Sequence, residues 1–293
     1  MTRLRVPLTV LALTASLSLA ACGSPTDTSS GSTSPSASGS GTAKACAKDS
    51  LATVTKGKLT IGTDKPAYPP WFVDDDPSNG KGFESAVAYA VAEQLGFAKG
   101  EVTWVVVPFD AAIAPGKKSF DVDLNQVSIS DERKGAVDFS SGYYDVRQTV
   151  ISYKGSPIDG KTKVADLAGA KLGAQVGTTS YDAIVEQIKP TTKPMVYNSN
   201  DLAVQALKNK SIDGIVVDLP TAFYMTAAQL DNGVIVGQLP AGSAAVEQFG
   251  AVLDKGSPLT ACVTSAVDAL RDGGVLADLA TQWLAGQGAP ELE

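Results

Sequence analysis

From Lys58 to Leu284, short apolar runs alternate with stretches of helical period, and this alternation most constrains the fold. Strands separated by helices build α/β layers with mostly parallel sheets, and ligands of such sheets sit beyond the carboxyl ends of the strands. The pattern predicts strands at 58–63, 102–107, 122–129, 146–153, 171–176, 195–197, 212–218 and 248–253. Helices are predicted at 83–95, from Phe109 to the break at Pro115-Gly116, from Asp131, and from Gly177 to Ile188. Further helices follow the cap Ser199-Asn200-Asp201 and Pro220, and two more close the chain near 258–271 and 275–284. In the first helix Phe83, Val87, Val91 and Leu95 share one face, which reads as core, and Gly96 stops it. A chain of 293 residues with this pattern has room for two lobes.

Composition narrows the function classes. A net charge of −7 argues against nucleic acid as a partner, because such proteins need basic patches. There is no histidine, which removes the commonest general base and the commonest metal ligand. The three cysteines, Cys22, Cys46 and Cys262, have no zinc-site spacing, so no metal and no cofactor is expected.

Residues 1–22 read as a lipoprotein signal peptide. Arg3 and Arg5 give the charged start, an apolar run too short to span a bilayer follows, and Leu19-Ala20-Ala21-Cys22 has the form of a lipobox with Cys22 as the lipidated residue. Residues 23–44 are Ser, Gly, Thr and Pro with little apolar content, a disordered tether. The expected product is extracytoplasmic, held at the outer face of the cell membrane by the lipid alone, with a soluble monomeric body.

The stretch DVDLNQVSISDERKGAVDFSS, beginning at Asp121, is the most chemical part of the chain. It places Arg133 just after an apolar run, in the first turn of a helix whose N-cap is Ser130. A guanidinium among hydroxyls and free N–H groups is a carboxylate receptor; the alternative is a surface salt bridge of little energetic weight. Gly177-Thr178-Thr179-Ser180 opens another helix and reads either as an anion nest or as plain N-capping. Asp218 ends a buried-looking strand, where a ligand of a parallel sheet is met. The loop after residue 63 carries Tyr68, Trp71 and Phe72 among prolines and aspartates, and these aromatics are either a core lid or a ligand platform.

Taken in order, GTDKPAYPPWF, KGFESAVAYAVAEQLGF, SISDERKGAVDFSSGYY, LGAQVGTTSYDAI, QALKNKSIDGIVVD and LRDGGVLADLATQWL resemble the bacterial extracellular solute-binding proteins of family 3, the amino-acid-binding components of ABC importers. The resemblance covers roughly residues 56–283. It implies a two-lobed periplasmic-binding-protein-like α/β fold, with 45–146 and 243–293 forming lobe 1 and 147–242 lobe 2, joined by two hinge strands. It implies an amino acid in the interlobe cleft, an ABC permease as partner, and no enzymatic activity. Arg133 matches the grip on the ligand's α-carboxylate, Thr178 and Thr179 match the opposite lobe's carboxylate-binding nest, Ser128 matches a backbone and hydroxyl contact, and Asp218 matches the acceptor of the α-ammonium. Asp64, Tyr68 and Phe109 match side-chain pocket positions, the two aromatics sandwiching the ligand. Asn125, Gln126 and Gln175 stand where relatives carry smaller residues, and Trp71 where they carry phenylalanine, so the expected pocket is crowded and rich in amides. Asp64 is its one fixed charge at the side-chain end and favours a polar or basic amino acid, unless it only caps its loop. A sensor module, or a lyase or dehydratase on the same fold, are the competing readings. The compartment implies that Cys46 pairs with Cys262.

Overall fold

The computed structural model describes residues 46–241, 246–284, 286 and 288–293. The signal peptide, the tether and the lipidation position Cys22 lie outside them.

The described chain forms two five-stranded mixed sheets. The first contains β1 (Leu59–Thr63), β2 (Val102–Val106), β3 (Val122–Asp123), β4 (Asp138–Asp145) and β10 (Gln248–Leu253), in the order β2-β1-β3-β10-β4. The second contains β5 (Gln148–Tyr153), β6 (Leu172–Gln175), β7 (Met195–Tyr197), β8 (Gly214–Asp218) and β9 (Gly233–Gln238), in the order β7-β6-β8-β5-β9. In each sheet a parallel trio, with β1 and β6 at the centres, is extended by antiparallel strands. The parallel trios are the parts joined through helices, as the alternation requires.

Lobe 1 is held by helix α1 (Phe83–Gln94) and the two closing helices, Thr260–Asp272 and Val275–Leu284, packed against its sheet. Phe83, Val87, Val91 and Leu95 are all buried in that core with Leu59, Ile61, Phe249 and Val263. Each such side chain contributes roughly 1.5–3 kcal/mol relative to exposure. Cys46 is disulfide-bonded to Cys262, with Cα atoms 5.4 Å apart, which ties the start of the described chain to the first closing helix. The second lobe has cores on both faces of its sheet, around Leu172 and Val216 on one side and Ile215 and Leu207 on the other.

Several expectations are corrected. The strand expected at 122–129 is only Val122–Asp123. Leu124 still donates its N–H to Gly62, but Gln126 turns to a φ of 48° and takes the chain out of the sheet. The cause is Glu84 of α1, fully buried, whose carboxylate accepts the Gln126 backbone N–H at 2.8 Å and its side-chain amide as well. Strands β4 and β9 were not expected. Residues 138–145 read DFSSGYYD, too polar for a core strand, and 233–238 alternate only weakly. Both are edge strands, where burial is incomplete and a hydrophobic pattern is not demanded. The helix opening at Thr179 is one α-helical segment, Thr179–Ala183, continued by a π-helical turn, Ile184–Ile188. Finally, the last residues, expected in lobe 1, lie on the second sheet. Glu291 bridges to Gln238, Leu292 is buried there, and Arg147 pairs with Glu291 at 2.6 Å.

Candidate functional site

The strand ends of both sheets converge on one pocket. Asp64 follows β1, Phe109 follows β2, and Asn125, Gln126 and Ser128 follow β3; Gln175 ends β6, Asn200 follows β7 and Asp218 ends β8. Carboxyl ends of parallel strands therefore supply its walls from both lobes. The chain passes from the first sheet to the second between β4 and β5, and β9 of the second sheet precedes β10 of the first; Val146 donates to the carbonyl of Glu247 and Leu239 to that of Gln148 beside these passages.

Arg133 is placed as the local sequence dictates. Ser130 accepts the Arg133 N–H at 3.2 Å and so caps the short helix Asp131–Ala136. Arg133 is only 8% exposed. Its Nη1 donates to the carbonyl of Ser128 at 2.6 Å and its Nη2 to that of Gly177, on the other lobe, at 2.7 Å. The ring of Phe109 lies beneath it, 5.5 Å from Cζ. Among the described residues no carboxylate lies within ion-pair distance of it. Burial holds its pKa below the usual guanidinium value, and the negative charge of Glu247 opposes that shift. A buried cation whose protein contacts are neutral carbonyls is a site for an anion.

On the second lobe, Thr178 turns its hydroxyl to the Gln175 carbonyl at 2.8 Å rather than capping the helix that follows. The N-capping alternative is thus not what this threonine does. Asp218 accepts the Thr221 N–H at 2.9 Å, capping the helix Leu219–Tyr224 while lining the pocket. Burial pushes its carboxyl up to about 6, and hydrogen bonds from Thr221 hold it from going further.

Asp64 caps its loop and also faces the pocket. It accepts from Lys65 N at 2.7 Å and Phe109 N at 3.2 Å, and it lines the pocket; burial raises its pKa. Tyr68 packs against Tyr224 of the opposite lobe, with ring centroids 5.8 Å apart, while Phe109 lies under Arg133. Gln126 is held by Glu84 as described above, and Gln175 caps a helix by accepting from Asn200 N at 3.1 Å. Asn125 is buried, and its Nδ2 has no partner among the described residues.

All the expected site residues except Trp71 line this pocket. Trp71 is 1% exposed and packs edge-on against Phe83, Tyr144 and Phe249. Its indole N–H is met by Thr221 Oγ1 of the second lobe at 3.0 Å. It is a core lid with a polar tip, the other of the two readings of that loop. Six lining residues were missed: Pro66, Gln148, Ser180, Asn200, Val217 and Phe249. Asn200 and Ser180 follow strand ends and were legible by that rule; Gln148 and Phe249 lie beside the crossings, which only the fold defines.

Two α/β lobes, a double crossing and a polar pocket between strand ends define a two-lobed binding protein. Its relatives agree. The model of the bacterial extracellular solute-binding proteins, family 3, matches residues 59–286, and the chain belongs to that family. It is 30% identical over 245 residues to the L-cystine-binding protein TcyJ of Escherichia coli K12, covering 82% of this chain and 88% of TcyJ. It is 30% identical over 228 residues to the L-arginine-binding protein of Pseudomonas aeruginosa PAO1, covering 73% of this chain and 86% of that protein. The solved structure of an ancestral arginine-binding protein bound to arginine superposes with a TM-score of 0.63 at 28% identity, covering 78% of this chain and 99% of the other. The expected two-lobed fold therefore stands, and the chain is a binding protein rather than an enzyme.

Proposed function

We propose that this protein captures a polar or basic α-amino acid in the interlobe pocket and delivers it to the permease of an ABC importer. The observation that carries the reading is Arg133: a buried guanidinium with carbonyl partners only, in a pocket that Asp218 lines from the other lobe. An enclosed zwitterion needs each charge met by its opposite. Arg133 takes the α-carboxylate and Asp218 the α-ammonium, so the ligand joins the lobes and favours closure, the state a transporter reads.

The side-chain end holds Asp64 as a fixed acceptor. Gln126 spends its N–H₂ on Glu84 and keeps a free carbonyl, whereas Gln175 spends its carbonyl on Asn200 and keeps a free N–H₂. Arginine, lysine, histidine and glutamine suit these groups; the relatives named for L-arginine and L-cystine support a polar amino acid. Ser128, Thr178, Thr179, Asn125, Tyr68 and Phe109 complete the proposed contacts.

The protein acts outside the cytoplasm as a monomer, anchored by a lipid on Cys22. Cys46 and Cys262 are bonded to each other, which leaves Cys22, in its lipobox, as the remaining cysteine. No helix among the described residues is long and apolar enough to cross a membrane. The test is a melting-temperature screen of ligand-stripped protein against the twenty amino acids and L-cystine, since a ligand of the native state stabilises it by mass action. Arginine, lysine, histidine, glutamine or cystine is expected to raise the melting point. Glutamate, aspartate or leucine as sole stabiliser refutes the specificity, and no response at all refutes the amino acid.

A further inference from the structure

Glu247 stands on the second crossing, at the meeting point of hinge and lobes, and belongs to no motif of the sequence. Its backbone is fixed because Val146, on the first crossing, donates to its carbonyl at 2.8 Å. Its carboxylate reaches into the wall of the pocket. Oε1 accepts the hydroxyl of Ser128, from lobe 1, at 2.5 Å and the hydroxyl of Thr179, from lobe 2, at 2.6 Å. Nε2 of Gln148 donates to both carboxylate oxygens, at 3.1 and 3.2 Å, and more weakly to Thr179 Oγ1 at 3.3 Å, while Ser180 donates to the carbonyl end of that amide at 2.8 Å. Every member of this group is thereby oriented.

The consequence lies in the proton count. A hydroxyl has one hydrogen and two lone pairs. With their hydrogens on Glu247, Ser128 Oγ and Thr179 Oγ1 have none left to donate, although both line the pocket. Towards a ligand they are acceptors. Acceptors repel a carboxylate and suit an ammonium, and a charged carboxylate partner is the stronger claim on each hydrogen than a weaker hydroxyl contact such as the 3.3 Å one from Thr179 to Ser128.

We infer that Glu247 is a positioning residue that turns Ser128 and Thr179 into acceptors, so that these hydroxyls, in place of the carboxylate contact that the resemblance implies for Thr179, read the α-ammonium of the ligand beside Asp218 and leave its α-carboxylate to Arg133. The inference rests on the amino-acid reading proposed above. It makes Glu247 the residue that separates α-amino acids from simple carboxylic acids, without itself contacting the ligand. Removing it frees two hydroxyl hydrogens at once, and the site then tolerates a ligand that has no ammonium.

The test uses two probe pairs: L-arginine with 5-guanidinopentanoate, and L-glutamine with 5-amino-5-oxopentanoate. Each pair differs only by the α-ammonium. Dissociation constants are measured by calorimetry for the wild type, Glu247→Ala and Glu247→Gln. In the wild type the amino acid is preferred. In Glu247→Ala that preference falls at least tenfold, whereas in Glu247→Gln, whose carbonyl takes the same two hydrogens, it stays within threefold of wild type. A ratio unchanged in Glu247→Ala, or a uniform loss for both members of a pair, overturns the assignment and leaves the amino-acid reading standing. Binding of neither amino acid by the wild type overturns both.

Discussion

Replacing Arg133 by alanine removes a buried cation that lines the pocket, and the cost can be worked from its surroundings. Arg133 is 8% exposed, and the partners of its guanidinium among the described residues are two neutral carbonyls. A ligand carboxylate placed there and then deprived of the arginine is left enclosed and unpaired, which costs ~2–5 kcal/mol. At tenfold per 1.4 kcal/mol, that is a loss of affinity between about thirtyfold and several thousandfold. Stability responds far less, because the two lost hydrogen bonds are offset by relief of a desolvated charge; a change within ~2 kcal/mol is expected. Arg133→Lys keeps the charge but not the planar fork and should fall between wild type and alanine. The assay is calorimetric titration of ligand-stripped protein with the best stabiliser from the melting screen, with circular dichroism to show that the fold persists. A dissociation constant for Arg133→Ala within threefold of wild type, in a folded protein, refutes the reasoning.

Two other consequences can be checked directly. Asp218 titrates near 6 because burial disfavours its charged form, and an α-ammonium beside it favours that form. Affinity should therefore be level above pH 7 and fall by up to tenfold per pH unit below about 6, with a proton released on binding in that range and no such slope in Asp218→Asn. For stability without ligand the sign is opposite: the folded pKa lies above the unfolded one, so the contribution of Asp218 is largest below pH 4 and declines as the pH rises through about 6. The disulfide closes a loop with a sequence separation of 216, so Cys46→Ser with Cys262→Ser should lower unfolding stability by ~2–5 kcal/mol, read as the denaturation midpoint; an unmoved midpoint refutes the entropic account.

What was legible in the chain by itself follows from short-range physics. The cap at Ser130, the face of α1 and the proline start after Asp218 depend on neighbours within a few residues, and each is found where it was expected. The ends of β1, β2, β6 and β8 were legible for the same reason, and with them much of the pocket, since ligand-facing residues of a parallel sheet lie just past its strands. What only the tertiary structure decided is which groups face one another. Trp71 stood among pocket residues in the chain, yet its ring is taken up by Phe83, Tyr144 and Phe249, remote from it in sequence or pinned by the loop's own path. The strand after Asp121 is cut short because a carboxylate from α1 captures Gln126, a contact across 42 positions. Glu247 carries no local signal at all, and its meaning comes from one hydroxyl on each lobe, 119 and 68 positions away. A hydrogen bond acts over about 3 Å, whatever the separation along the chain, and so only the fold could assign these partners.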